Sequence, residues 1–295
     1  MKNNLKIRRI RKKTNKILIV AKQNKIGLSR AKKLGRLLKD YVKDVKFDPS
    51  TARSVRRLRK TGTSIKKFDG DLIITIGGDG TLLMTSHHSK VPILPIRIEG
   101  YGFLCTADFK DVIKNIDKVV NKEYEIHDVT RLKCTKLVKG KFARYIGKIL
   151  HKTYPLSLNE LAFARKRPSK ILGIEFKIDD TSFSFVGDGI MFSTSSGSTA
   201  YSASSGGSVI DPSLDVTNII PLYPFYSKIK PMIIPGDKKI EVKITKGECS
   251  VIIDGHGGDY VKAGSEFIVE KGEPFKRVSI IDQSFYAKFK KKFLE

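Results

Sequence analysis

Asp79 stands inside a run of glycines, Gly77-Gly78-Asp79-Gly80-Thr81. Residues without a Cβ let backbone N–H groups approach an anion, and a helix beginning just after them adds the positive end of its dipole. A phosphate suits such a turn. A carboxylate repels phosphate unless it has a task, so Asp79 is a candidate to take a proton from an attacking hydroxyl or to hold Mg2+ through water. The alternative is a turn residue that caps the helix. The run is not a P-loop, because no Gly-Lys-Ser/Thr follows. A second pair, Asn159-Glu160, combines an amide with two carboxylate oxygens. It can read an amide, a ribose diol or an adenine amine, or be two surface polar residues at a strand start. The third block runs from Gly187-Asp188-Gly189 through Ser193–Gly207 and is rich in Ser, Thr, Gly and Ala. Its small side chains let a flat ring lie against backbone, and its hydroxyls can bind phosphate or cap a helix. Tyr201 can line a base pocket or pack in a core, and Asp188-Gly189 reads first as a hairpin turn.

The elements around these residues change character along the chain. Lys16–Ala21, Asp71–Ile76 and Val91–Ile98 are apolar runs that read as buried strands. Ser29 is positioned to cap a helix whose Leu34, Leu37, Leu38, Tyr41 and Val42 share one face. A second helix is predicted over Ser50–Lys60, and Leu82, Leu83 and Met84 begin a third helical pattern. Strands alternating with helices predict a parallel α/β sheet over 16–124. From about residue 125 to 271 the pattern is of short strands: Leu132–Val138, Ile171–Ile178, Ser182–Val186, Ile190–Thr194, Ile240–Ile244, Ser250–Ile253 and Glu266–Glu270. Ser284–Phe293 closes the chain as an amphipathic helix with Phe285, Phe289 and Phe293 on one face.

Composition narrows the function classes. Residues 1–70 hold 24 Lys/Arg against 4 Asp/Glu, so they carry +20 of the net +27. Such a field attracts nucleotides, polyphosphate or nucleic acid, and residues 1–15 read as a basic tail. No zinc-finger or RNA-recognition pattern is present, so a nucleic-acid partner is not expected. No apolar run approaches the roughly 18–20 residues needed to span a bilayer. The basic N-terminus lacks a signal-like apolar stretch, and the three dispersed cysteines suit a reducing compartment, so a cytoplasmic protein is expected.

Three blocks in order, Gly-Gly-Asp-Gly-Thr, Asn-Glu and Gly-Asp-Gly…Ser-Gly-Ser-Thr-Ala-Tyr…Gly-Gly, resemble the NAD kinase family over residues 16–292. The first block alone is shared with diacylglycerol and sphingosine kinases and phosphofructokinases, which lack the other two. Gly102-Phe103-Leu104, Ile220–Phe225 with Pro231, Ile253-Asp254-Gly255 and Ser284–Phe289 agree with the resemblance. It implies an α/β N-terminal domain, completed by the 272–295 helix, plus a β-rich C-terminal NAD-binding domain over 125–271. It implies Mg2+-dependent phosphoryl transfer from ATP or polyphosphate to the adenosine ribose 2′-hydroxyl of NAD. Asp79 would be the general base, with Gly80 and Phe103 beside the NAD. Asn159 and Glu160 would contact the adenosine half. Ser196, Thr199, Ala200, Tyr201, Ser202 and Ser204 would line the adenine and ribose. Asp188 would meet the nicotinamide end from a neighbouring subunit of a homodimer or homotetramer, and Lys170 and His256 would add polar contacts. The sequence departs from the family at Pro95–Phe103, where Arg97 replaces an Asn, and at Met84, where an Arg or Lys is usual. Thr194-Ser195-Ser196-Gly197 replaces Thr-Pro-Thr-Gly.

Overall fold

A computed structural model describes residues 13–55, 62–100, 102–138 and 150–295. The basic tail up to residue 12 and the end of the helix predicted over 50–60 lie outside the described residues. The chain divides into two units, one running to Val129 and resuming at Phe275, the other spanning Thr130–Pro274.

The first unit is built from β1 (Lys16–Ala21), α1 (Lys25–Leu38), β2 (Asp44–Phe47), α2 (Pro49–Ser54), β3 (Leu72–Gly77), α3 (Asp79–Ser86), β4 (Ile93–Arg97), β5 (Ala107–Asp108), α4 (Phe109–Lys114) and α5 (Ile116–Val120). All six residues of β3 are buried, as expected of a parallel strand covered on both faces. The strands pair in parallel in the order β2-β1-β3-β4. Ile17, Ile19, Leu34, Leu38, Ile74, Ile76, Leu94 and Ile96 form one apolar cluster between strands and helices.

Two expectations are corrected here. Asn24, not Ser29, caps α1, its side chain accepting the Gly27 N–H; Ser29 is an exposed residue inside the helix. The helix therefore starts a turn earlier and stops at Leu38, leaving Tyr41 and Val42 beyond it. Likewise α2 is short: Asp48 caps it, with Pro49 at the first position, and it ends at Ser54.

The second unit carries most of β6 (Glu125–Val138), β7 (Leu150–Thr153), β8 (Glu160–Arg165), β9 (Leu172–Ile178), β10 (Thr181–Gly187), β11 (Gly189–Thr194), α6 (Tyr201–Ser204), β12 (Val216–Leu222), β13 (Met232–Pro235), β14 (Ile240–Lys246), β15 (Glu248–Ile253), β16 (His256–Lys262) and the start of β17 (Glu266–Ser279). Two antiparallel arrays result, β10-β9-β14-β17 and β13-β12-β11-β8-β15-β16. Phe176 and Phe267 of the first cluster with Phe163 and Phe192 of the second, the packing of two inner sheet faces. β11 is buried throughout, whereas β14 alternates buried and exposed residues, so only one of its faces is covered.

The Asp188-Gly189 hairpin is also corrected. β10 pairs with β9, while β11 pairs with β8 and β12, so Gly187–Gly189 crosses from one sheet to the other. Neither glycine has positive φ. Gly189 is needed for close approach instead: a Cβ there would stand 2.2 Å from the Phe163 carbonyl oxygen. The two-residue turn lies at Asp254-Gly255, where φ is 48° and 76° and Ile253 pairs with His256. The final helix, α7 (Phe285–Phe293), belongs to the first unit, and the Ser284 hydroxyl caps it by accepting the Ala287 N–H.

Candidate active site

In the first unit the strand–glycine turn–helix geometry is β3 running into α3, with Gly78 as the N-cap. Asp79 is the first helical residue and does not cap, so the capping alternative is set aside. Its Oδ2 accepts the Phe103 N–H at 2.9 Å and its Oδ1 accepts the Leu104 N–H at 3.2 Å. The carboxylate is thus fixed on a neighbouring loop. The space above Gly78 and Gly80 is open, as a close-approaching anion requires.

Gly102 makes this possible: a Cβ at that position would lie 2.6 Å from Asp79 Oδ1. Gly102→Ala is therefore expected to dislodge the Asp79 carboxylate and lower turnover by about 100-fold, the scale of a misplaced catalytic group. The melting temperature should stay close to the parent's; a variant with parental turnover would show that the carboxylate does not need this seat.

Cations gather on the same loop. Lys288 Nζ donates to the Cys105 carbonyl at 2.7 Å and to the Phe103 carbonyl at 3.4 Å. Burial, then the nearby Arg277 charge, lowers the Lys288 ammonium to about 8, with Cys105 and Asp79 pulling the other way. Burial also pushes the Cys105 thiol up, and the Asp79 charge adds to it. Arg277 Nε is buried without a hydrogen-bond partner. Arg97 pairs with Asp108 at 2.8 Å. Met84, 40% exposed, brings no charge to α3.

In the second unit Asn159 and Glu160 are both buried, which rules out two surface polar residues. Asn159 Oδ1 and Glu160 Oε2 have no hydrogen-bond partner, nor has the buried Ser202 hydroxyl. Burial first, and the Asp254 charge second, raises the Glu160 carboxyl to about 7. Asp254 holds the pair in place. Its Oδ1 accepts the N–H of Asn159 at 2.7 Å and of Glu160 at 3.1 Å, and its Oδ2 accepts that of Leu158 at 2.9 Å. In the sequence Asp254 stands only as a flank of the family resemblance; the signal for its role is an Asp-Gly turn at the end of the strand that pairs with β8, beside Asn159-Glu160.

The serine-rich loop closes on the same strand end. Thr194 Oγ1 donates to the Leu158 carbonyl at 2.7 Å and accepts the Gly197 N–H at 3.0 Å. Ser196 and Thr199 are buried, Ala200 is half-buried and Ser204 is exposed. Tyr201 is 53% exposed, which rules out core packing. His256 Nδ1 lies 3.1 Å from the Asp254 carbonyl oxygen. Asp188 is elsewhere: it pairs with Arg165 at 2.9 Å, at the opposite end of β8 from Glu160. A five-residue strand step puts about 17 Å between those ends. The exposed Lys170 follows the same far end, in the turn after β8.

A glycine turn with a seated carboxylate in one unit, and unfilled buried polar atoms in the other, are parts that a phosphotransferase acting on a nucleotide requires. Residues 17–124 match the ATP-NAD kinase N-terminal domain and residues 158–280 the ATP-NAD kinase C-terminal domain. The chain is 31% identical to the NAD kinase of Methanothermobacter thermautotrophicus, over 90% of this chain and 91% of that one. It is 30% identical to the NAD kinase of Pyrococcus furiosus, over 94% and 98%. Among solved structures, an NAD kinase from Archaeoglobus fulgidus in complex with ATP gives a TM-score of 0.68 at 25% identity, covering 94% of this chain and 97% of that one. Yeast NADH kinase complexed with NADH gives 0.85 at 21% identity, covering 100% and 92%, a likeness of fold. The chain belongs to the NAD kinase family, and it is a kinase.

Proposed function

We propose that this kinase moves a phosphoryl group from ATP or polyphosphate to the 2′-hydroxyl of the adenosine ribose of NAD, giving NADP. The observation that carries the reading is the set of buried, unpartnered acceptors and hydroxyl at Asn159, Glu160 and Ser202, in a chain of this family. Orphaned buried polar atoms are rare in native proteins, and three of them around one strand end suit a polar ligand.

Asp79 takes the proton from the 2′-hydroxyl as that oxygen attacks the terminal phosphorus of the donor. The backbone N–H groups of Phe103 and Leu104 hold its carboxylate in one orientation during that step. Gly80 and Phe103 lie beside the acceptor. Glu160, once ionised, accepts N–H or O–H groups of the adenosine half, and Asn159 reads the same half through its amide. Ser196, Thr199, Ala200, Tyr201, Ser202 and Ser204 line the adenine and ribose, with His256 and Lys170 as further polar contacts. Asp188, at the far end of β8, serves the nicotinamide end of a neighbouring subunit in a homodimer or homotetramer. The described residues hold no cluster of three or more His, Cys, Asp or Glu able to cage a metal. Mg2+ would enter with the donor phosphates and offset their charge. Among the described residues no helix is long and apolar enough to cross a membrane; the working compartment we assign is the cytoplasm.

The test is formation of NADP from NAD, and of NADPH from NADH, with ATP, GTP and polyphosphate as donors. Asn159→Ala and Glu160→Ala are expected to raise the KM for NAD about 5–150-fold, the equivalent of 1–3 kcal/mol for lost hydrogen bonds. No phosphorylated dinucleotide from any combination defeats the reading, and unchanged KM values remove the pair from the site.

A further inference from the structure

We propose, on the reading above that Asp79 is the base, that Lys288 of the closing helix is a positioning residue for phosphoryl transfer: it grips the carbonyl groups of the Gly102–Cys105 loop and so keeps that loop's N–H groups on the Asp79 carboxylate.

Residues 102–106 lie in neither helix nor strand, so no ladder sets the direction of their amides. Side chains set it instead. Asp79 accepts the N–H groups of Phe103 at 2.9 Å and Leu104 at 3.2 Å. Lys288 Nζ donates to the carbonyls of Phe103 at 3.4 Å and Cys105 at 2.7 Å. The Phe103 carbonyl and the Leu104 N–H belong to one peptide group, which is trans, so the two point in opposite directions. Asp79 and Lys288 therefore hold the same peptide plane from its two ends. An ammonium on the carbonyl also polarises the amide and strengthens its N–H as a donor.

The helix delivers this lysine to a fixed place. Phe103 packs on Phe285 and Phe293 with ring centroids 5.7 and 6.0 Å apart, and Phe289 packs on Phe293 at 5.0 Å. Lys288 stands three residues after Phe285, a neighbouring position on the helix surface. The loop residue that donates to Asp79 is thus also the residue that docks α7. Beyond the loop, the Thr106 hydroxyl donates to the Val278 carbonyl of β17 at 2.8 Å. The seat of the carboxylate is completed by the last part of the chain.

The charge on Lys288 can be switched without a mutation. Around its ammonium stand Arg277 of β17, Arg97 of β4, Cys105 of the loop and Asp79 of α3, with Lys291 and Lys292 following on its own helix. Burial first, and Arg277 next, lower it to about 8, against the pull of Cys105 and Asp79. Burial pushes the Cys105 thiol far up, so it stays neutral over the same range. As pH rises through about 8 the lysine becomes an amine, which no longer polarises the loop amide.

The experiment uses the full chain, NAD and the donor that supports turnover. Turnover and the KM for NAD are measured from about pH 6.5 to 9.5, across the titration of the lysine, with melting temperatures alongside. The proteins are the parent, Lys288→Met, Lys288→Arg, Asp79→Asn and the double variant Asp79→Asn/Lys288→Met. Lys288→Met is expected to lower turnover about tenfold at neutral pH, the scale of one charge-assisted hydrogen bond, with the KM for NAD unchanged. Lys288→Arg restores most of that loss. Turnover of the parent declines as pH rises through about 8, whereas Lys288→Arg, charged throughout, keeps its rate to higher pH. A lysine that served only to hold the helix would give no such difference in profile. The double variant is no slower than Asp79→Asn, because a group that acts through the base has nothing left to act on. Parental turnover in Lys288→Met, the same alkaline decline in parent and Lys288→Arg, or a double variant slower than Asp79→Asn by the full Lys288→Met factor overturns the role of Lys288. If Lys288→Met does not fold, the Lys288→Arg profile decides. Near-parental turnover in Asp79→Asn sinks the base reading itself; an inactive Asp79→Asn beside an unaffected Lys288→Met removes the lysine alone.

Discussion

Asp79→Asn is expected to lower turnover by about 10²–10⁴-fold, the usual worth of a positioned general base, while the affinity for NAD stays within a few-fold of the parent. The substitution preserves size and removes the basic oxygen. In the parent both carboxylate oxygens accept backbone N–H groups, from Phe103 and Leu104. An Asn side chain can satisfy one of them with its oxygen but turns its NH2 toward the other donor. Some local adjustment of the Gly102–Cys105 loop follows, so the melting temperature and a dissociation constant for NAD are needed beside the rate. A variant that folds and binds but does not transfer phosphate assigns the chemistry to the carboxylate. Turnover within a few-fold of the parent would reduce Asp79 to a brace for the loop.

What the sequence conveyed of the fold depended on how local its cause was. The strand Leu72–Gly77 was legible because burial on both faces writes itself into composition, and the closing helix because its phenylalanines recur at helical spacing. β2 was missed: Asp44–Phe47 is a four-residue strand, half-exposed over three of them, with no periodic pattern to read. The cap of α1 was misplaced because Asn24 and Ser29 are both competent caps, and the choice falls to tertiary packing around Gly27. The two Asp-Gly pairs teach the same lesson. Asp188-Gly189 and Asp254-Gly255 carry one signal, yet only the second has left-handed backbone, because strand pairing decides which pair is a turn. The candidate site divides similarly. Asn159, Glu160 and the serine loop were found as motifs, whereas the seating of Asp79 on Phe103 and Leu104, and of Asn159 and Glu160 on Asp254, needed the folded chain.

Asp254→Asn is expected to weaken NAD binding by about 10–100-fold and to move its pH dependence. The magnitude follows from three buried N–H groups that lose a charged acceptor, at about 1–3 kcal/mol where one is left unmet. The turn itself survives, since Asn tolerates the left-handed conformation that Asp254 adopts at φ 48°. What changes is the hold on Leu158, Asn159 and Glu160, and the charge felt by Glu160. Glu160 stands at about 7 in the folded protein against 4.5 ordinarily, through burial and then Asp254. The folded state therefore keeps a proton that the unfolded chain has released between those values. The associated stability is present below 4.5 and is lost as pH rises through about 7. At about 1.4 kcal/mol per pH unit that loss is at most ~3.5 kcal/mol. NAD binding runs the opposite way, because the ionised carboxylate is the form that accepts ligand N–H and O–H groups. Affinity in the parent should fall as pH drops below 7. In Asp254→Asn the lost charge lowers the Glu160 carboxyl, so the fall should begin at a lower pH; in Glu160→Gln it should vanish. Dissociation constants for NAD from about pH 5.5 to 8.5, with denaturant melts of the unliganded protein over the same range, measure both signs. A profile with the same midpoint in parent and Asp254→Asn would make Asp254 a brace for the backbone without influence on the charge of Glu160.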